Sequence, residues 1–388
     1  LTMDYGNTIL FEAFEHPKLS LPNRIVMAPC TRMMAENQTI SEESAAYYRR
    51  RAEGGMALII TEATTIDHDA SSGHTRAPAI HGETSLAGWK HVIDEVHDAG
   101  GKIAPQLWHV GATRDPATGP NPTVPAVSPS GYLSPGIEAG VAITDSGIAD
   151  VISAYAKAAA DAKAIGFDSI EIHGAHGYLI DAFFWDQVNL RDDEYGGPLE
   201  NRTRMAVEVV SAIREAVGED FPIIFRHSQW KSGHYDFKVA ETPEEVELWL
   251  GPLSDAGVDI FHASMRRFWL PEFEGSPLNL AGWVKKITGK PTIAVGSVGL
   301  DKDYSGQSID APTNDSASGK HSKSGDRYAH YSEFTDLDQL VGMMERGDFD
   351  LIAVGRASLA EPDWPNKVRE GRTDEIAPYT KDVLKELY

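Results

Sequence analysis

One unit recurs along the whole chain: a short apolar, β-branched run, then a stretch with helical spacing. The runs are RIVMAP (24–29), MALIITEA (56–63), KIAPQLW (102–108), DSIEIH (168–173), PIIFR (222–226), VDIFHA (258–263), PTIAVGS (291–297) and DLIAVGR (350–356). Such alternation marks parallel strands joined by crossover helices, because a parallel pair needs a dozen or more residues to return. A helix is predicted from about Ser41, with Glu42 and Glu43 in its first turn and Gly54-Gly55 stopping it. Further helices are predicted near 84–99, through Ile148, Ile152, Tyr155, Ala159 and Ala162 on one face, over NRTRMAVEVVSAIREAVG, and near 280–288 and 336–346. Thr242-Pro243-Glu244-Glu245 combines a capping box with proline at the first helical position.

Eight βα units argue for an α/β chain closed into a (β/α)8 TIM barrel, since closure removes exposed sheet edges. A doubly wound sheet for dinucleotides would need G-x-G-x-x-G after its first strand, and none is there. The 388 residues fit one large barrel domain with insertions. In that reading residues 1–22 precede the barrel, TILFEAFEHPKLSLPNR forms a hairpin plugging its bottom, 111–146 is a long loop after strand 3, and 305–327 is a polar, mobile insertion after strand 7.

Lys and Arg number 35 against 58 Asp and Glu, a net charge of −23 that repels phosphate backbones and anionic lipid, so neither nucleic acid nor membrane is expected as a partner. Cys30 is the only cysteine and can form neither an intrachain disulfide nor a zinc–thiolate site. The first residues show no basic region followed by an apolar run, so no signal peptide is expected and a soluble cytoplasmic protein is the default.

In a barrel, chemistry sits at the C-terminal strand ends. Those ends carry Thr31, Glu62, Gln106, Trp108, His109, His173, His176, Tyr178, Arg226, His227, His262, Ser297 and Arg356. Two arginines, an amide and a His/His/Tyr cluster suit an anionic, hydrogen-bonding ligand. In Ile172-His173-Gly174-Ala175-His176-Gly177-Tyr178, two imidazoles three residues apart can both donate to one carbonyl or nitro oxygen, and a phenol two residues on can supply a proton. The same H-x-x-H could instead bind a metal, though no third ligand of the usual type lies nearby and the glutamate of zinc proteases is missing. Val295-Gly296-Ser297 and Val354-Gly355-Arg356 close strands seven and eight, where barrels commonly bind phosphate through backbone N–H groups. A phosphorylated cofactor fits there, as does simple tight packing of the glycines.

The chain resembles the Old Yellow Enzyme family of FMN-dependent ene-reductases along nearly its whole length. The resemblance lies in NRIVMAPCTR (23–32), YYRRRAEGGMALIITEAT, GGKIAPQLWHVG, EIHGAHGYLIDAFFWDQVNLRDDEYGGPLENRTRM (171–205) and VGRASLAEPDWPNK (354–367). It implies tightly bound FMN, with Pro29, Cys30 and Thr31 along one flavin edge, Thr31 bonding O4, Ala63 against the ring, and Gln106 on the pyrimidine edge. It further implies Arg226 beside N1 and O2, and Gly296, Ser297, Gly355 and Arg356 around the phosphate. By the same resemblance His173 and His176 grip the substrate oxygen, Tyr178 protonates the α-carbon, and hydride reaches the β-carbon of an electron-poor alkene. NADPH or NADH would be the donor in a ping-pong cycle, in a monomer or homodimer. Cys30 stands where the family usually has Leu or Met, Trp185 is bulkier than the commoner residue, and 305–327 has no counterpart. Trp108, Phe268 and Trp269 are candidate aromatic walls for substrate.

Two other classes compete with a flavin enzyme that reduces alkenes, nitrate esters or nitroaromatics. One is a metal-dependent barrel hydrolase using His109, His173, His176 and His227 or His262. The other is a catalytically dead flavin-binding barrel, which the full His/His/Tyr set argues against.

Overall fold

The structure, a computed structural model, describes residues 4–310 and 330–388. Eight parallel strands close a barrel: β1 (Ile25–Met27), β2 (Leu58–Thr65), β3 (Lys102–Trp108), β4 (Ile170–His176), β5 (Ile223–Lys231), β6 (Ile260–Ser264), β7 (Thr292–Val295) and β8 (Leu351–Val354). Each pairs with its neighbours in sequence, and β8 returns to β1 with Ile25 opposite Ile352. Around it run α1 (Glu42–Glu53), α2 (Glu83–Asp98), α3 (Asp145–Ile165), α4 (Arg204–Val217), α5 (Pro243–Ala256), α6 (Leu280–Thr288), α7 (Asp338–Glu345) and α8 (Trp364–Arg369). The barrel expected from the repeat is the barrel observed.

Local signals explain several boundaries. Thr144 Oγ1 accepts the Gly147 N–H at the start of α3, and Gly166 ends that helix at φ 112°, a conformation glycine adopts without steric cost. At α5, Thr242 Oγ1 accepts the Glu245 N–H, but the Glu245 carboxylate takes the N–H of Glu241 rather than that of Thr242. β5 is where the apolar pattern falls short: the strand continues from Arg226 through His227, Ser228, Gln229 and Trp230 to Lys231. Those polar residues extend because β4 runs alongside, with His176 opposite Lys231.

Below the barrel, Phe14 and Leu21 exchange backbone hydrogen bonds in an antiparallel bridge. Phe14, Leu19 and Leu21 join the interior cluster of Val26, Leu58, Ile60, Ile224, Ile260, Ile293 and Leu351. Burying each such side chain contributes roughly 1.5–3 kcal/mol, so the hairpin is held by the barrel it fills. The 111–146 segment carries a parallel pair, Val127–Ser128 with Val141–Ala142, and a small hairpin, Tyr132–Ser134 with Ile137–Glu138. Of the 305–327 insertion, residues 311–327 lie outside the described residues. No described helix is long and apolar enough to cross a membrane.

Candidate active site at the C-terminal mouth of the barrel

Strand alternation puts every second side chain on the same face, and register sets which of them become neighbours. Gln106 lies opposite Glu171, and Arg226 opposite both His173 and His262. Gln106 Nε2 donates to Glu171 Oε2 at 3.0 Å, and the other Glu171 oxygen is bonded to His262 Nδ1. All three residues are buried. A carboxylate only accepts, so the Gln106 NH2 must face it, which leaves the amide carbonyl and the second N–H to meet a ligand. Burial pushes the His262 imidazole below its ordinary range, with Glu171 opposing that shift.

Above this band sits a ring cluster. Trp108 meets Tyr178 edge-on at 5.1 Å, His173 meets Tyr178 at 4.9 Å, and His173 meets His176 at 5.1 Å. His173 Nδ1 accepts the Ala175 N–H at 3.3 Å, so the ring proton sits on Nε2, and burial holds its pKa well below the usual imidazole value. It is therefore a neutral Nε2–H donor at neutral pH. His176 and Gly177 both take left-handed backbone, φ 65° and 86°, which turns the chain sharply between β4 and Tyr178. For His176 this is strained and must be held by its surroundings. The restraints are its N–H to Ser228 Oγ at 2.9 Å, its Nε2 against Ser264 Oγ at 2.7 Å, and the Trp230 ring stacked on it at 4.4 Å. Beneath the turn, Asp181 Oδ2 accepts the Gly177 N–H at 2.8 Å while Oδ1 pairs with Lys231 Nζ at 2.6 Å, both side chains fully buried.

His176 also borders a cavity that runs across the mouth to β7 and β8. Its walls include Pro29, Cys30, Arg226, Ser264, Arg266, Gly296, Ser297, Tyr304, Gly355 and Arg356. Three guanidinium groups and no carboxylate side chain line it among the described residues, in a chain of strongly negative charge. A Cβ at Gly355 would have only Ala28 Cβ within 4 Å, at 3.8 Å, so the backbone is bare toward the space it lines. At Gly296, φ 150°, a Cβ would lie 2.5 Å from the Met265 carbonyl oxygen, and Ser297 follows at φ 58°. The Ser297 hydroxyl donates to the Arg266 carbonyl at 2.8 Å, so bare backbone N–H groups and guanidinium forks are the donor set that fits the phosphate of a flavin mononucleotide.

The structure thus brings together His173, His176, Tyr178 and Trp108 in one cluster, and Pro29, Cys30, Arg226, Gly296, Ser297, Gly355 and Arg356 around one cavity, with His176 common to both. Thr31 is exposed just past Cys30, and Ala63 packs with Trp108, Val110 and Tyr178. Cys30 is buried, which raises its thiol pKa. Arg356 directs two N–H groups to the carbonyls of Asp303 and Lys302. Phe268 belongs to the packed core, edge-on to Trp269, and does not line the cavity. Trp230, Ser264, Arg266 and Tyr304 were missed by sequence reasoning. The strand-end rule would have found the first two had β5 and β6 been extended to their true ends.

The metal-hydrolase reading is not supported. No group of three or more His, Cys, Asp or Glu among the described residues could hold a metal ion. His109 pairs with His68 at 3.1 Å, and His262 with Glu171. His227 packs between Trp249 and Phe261, where burial lowers its pKa to about 3.

Comparison with known proteins agrees with this architecture. The model of the NADH:flavin oxidoreductase / NADH oxidase family matches residues 9–313. An NADH oxidase of Thermoanaerobacter brockii is 32% identical over 95% of this chain, which spans about half (52%) of that protein's length. The 12-oxophytodienoate reductase 1 of Oryza sativa subsp. japonica is 30% identical, covering 97% of this chain and 90% of its own. Among solved structures, morphinone reductase in complex with tetrahydroNAD superposes with a TM-score of 0.75 at 26% identity, over 94% of this chain and 92% of its own. The Old Yellow Enzyme homologue of Zymomonas mobilis gives 0.73 at 27%, over 98% and 96%. The chain belongs to the NADH:flavin oxidoreductase / NADH oxidase family, the FMN-using oxidoreductases that include Old Yellow Enzyme.

Proposed function

We propose that the protein holds FMN across this mouth and uses NADPH or NADH to reduce the C=C bond of an electron-poor alkene, an unsaturated carbonyl or a nitroalkene, in a ping-pong cycle. FMN bound there would supply the redox chemistry, taking hydride from the nicotinamide and passing hydride to the alkene. The observation that carries the reading is the junction at His176 between a cavity walled by guanidinium groups and a half-buried cluster of imidazole and phenol donors.

Each residue then has a task its chemistry allows. Gly296, Ser297, Gly355 and Arg356 hold the phosphate; Pro29, Cys30, Thr31 and Ala63 border the ring; Gln106 offers its carbonyl to a ring N–H. Arg226 stabilises negative charge on the pyrimidine side, where a buried cation acts in low dielectric. His173, neutral with its proton on Nε2, donates to the carbonyl or nitro oxygen beside His176 and draws electrons from the alkene. Tyr178, oriented by Trp108 and His173, delivers a proton to the α-carbon. Nitrate esters and nitroaromatics present the same kind of oxygen and are expected as further acceptors.

Denaturing the purified protein should release a yellow pigment that runs as FMN and not FAD on chromatography. A colourless protein that takes up no FMN would overturn the proposal. Stopped-flow of the half-reactions should then show nicotinamide oxidation without alkene, and alkene reduction after the nicotinamide product has left.

A further inference from the structure

We infer that Ser264 sets the ring tautomer of His176 and thereby presents an Nδ1–H to the substrate oxygen; the second half of this rests on the substrate role proposed above. Ser264 ends β6, is 2% exposed and lines the cavity. Its hydroxyl meets Arg226 Nη2 at 3.2 Å and His176 Nε2 at 2.7 Å. A guanidinium carries only donors, so the serine oxygen accepts from Arg226. The hydroxyl has one proton of its own, and His176 Nε2 is the acceptor set 2.7 Å away to receive it. An Nε2 that accepts carries no proton, so a neutral His176 holds its proton on Nδ1. Were Nε2 the donor instead, the oxygen would accept twice and its own proton would be left at a buried position, which is costly.

Nearby contacts fix the plane in which this operates. Trp230 stacks on the His176 ring at 19° and ties its own Nε1–H to the Ser264 carbonyl at 2.9 Å. The two imidazoles are then opposite in kind. His173, with Nδ1 taken by the Ala175 N–H, donates from Nε2, and His176 donates from Nδ1. Rings standing at 89° with centroids 5.1 Å apart can direct two such donors at one oxygen. Ser264 touches neither reacting carbon in this scheme. It is a positioning residue that links the arginine assigned to the flavin with the histidine assigned to the substrate.

The test uses holoenzyme labelled with ring-15N histidine, where nitrogen chemical shifts distinguish Nδ1–H, Nε2–H and the doubly protonated ring. The parent at neutral pH should show His176 as Nδ1–H. Ser264→Thr, which keeps the hydroxyl, should preserve that signature. Ser264→Ala should shift it toward Nε2–H and weaken binding of a para-substituted phenol, followed by flavin absorbance, by roughly five- to tenfold, as expected for one lost hydrogen bond. A parent His176 that is Nε2–H or doubly protonated overturns the inference even if no variant folds. So does an alanine variant that keeps Nδ1–H. A tautomer shift with unchanged phenol affinity overturns the link to substrate. The tautomer result is independent of whether the protein reduces alkenes, so its failure is distinguishable from failure of the proposed function.

Discussion

Replacing Lys231 with Met isolates the buried ion pair beneath the His176–Gly177 turn. The change keeps most of the side-chain volume and deletes the ammonium, leaving Asp181 with the Gly177 N–H as its remaining charge-satisfying contact of those described above. Both partners have 0% side-chain exposure, so solvent screening relieves nothing. Breaking such a pair from one side costs about 3–5 kcal/mol. Burial already pushes the Asp181 carboxyl up to about 6 with the lysine present. Without it the group protonates more readily, which relieves part of the penalty and places the loss near the lower end, about 3 kcal/mol at pH 7.5. The sign with pH follows. Below about pH 6 Asp181 is protonated in the parent as well, so the lysine no longer faces a carboxylate and the gap between parent and variant narrows. Urea unfolding of the holoenzyme at pH 7.5 and 5.5, at equal m-values, measures both gaps. Asp181→Leu with Lys231→Met removes both charges and should recover to within about 1 kcal/mol of the parent. A pH-independent gap, or a double variant no better than the single one, would show that the lysine stabilises by packing alone and refute the reasoning.

Tyr178→Phe should lower alkene reduction by roughly 10²- to 10⁴-fold while leaving flavin reduction by the nicotinamide unchanged, and a nitroalkene should then leave as a slowly protonating nitronate; stopped-flow and product absorbance report both, and cyclic enones reduced at the parent rate would remove Tyr178 from its role. Gly355→Ala places a methyl group in open space toward the cavity, so the protein should fold with parent stability yet retain FMN less well on dialysis; undiminished retention would move the phosphate elsewhere. His227, with its pKa held near 3 by burial, stays neutral in the fold while the unfolded side chain protonates near 6.5. Its contribution is therefore full above pH 6.5 and is lost as pH falls toward 3, about 2 kcal/mol by pH 5; His227→Phe should flatten that part of the stability curve, and an unchanged slope would refute the assignment.

The barrel was legible because its signal is repeated: eight apolar runs at crossover spacing leave little choice of topology. The inward band was partly legible too. Glu171 and His173 stand two apart on one strand and share a face, which the alternation of β4 alone implies. Their partners were not, because Glu171 meets His262 from 91 positions away, and only barrel register decides that pairing. The end of β5 was hidden for a physical reason: the residues past His227 are polar, yet neighbouring elements bury Ser228, Gln229 and Lys231 and hydrogen-bond their side chains, while the His227 ring is buried between aromatic rings. Asp181 escaped the sequence as well, since spacing alone does not say which way a carboxylate in the first turn of a six-residue helix faces, and here it turns back to hold Gly177.

The hairpin wedged into the lower end of the barrel bears on traffic. Phe14, Leu19 and Leu21 fill that end with side chains packed on the strands. Among the described residues, the cavity that reaches Arg226 and His176 lies at the upper mouth. On the proposed chemistry, hydride donor and alkene then queue for one vestibule over the same reactive face, and each excludes the other while present. Alternating visits, and inhibition by an excess of either visitor, are what that shared vestibule imposes.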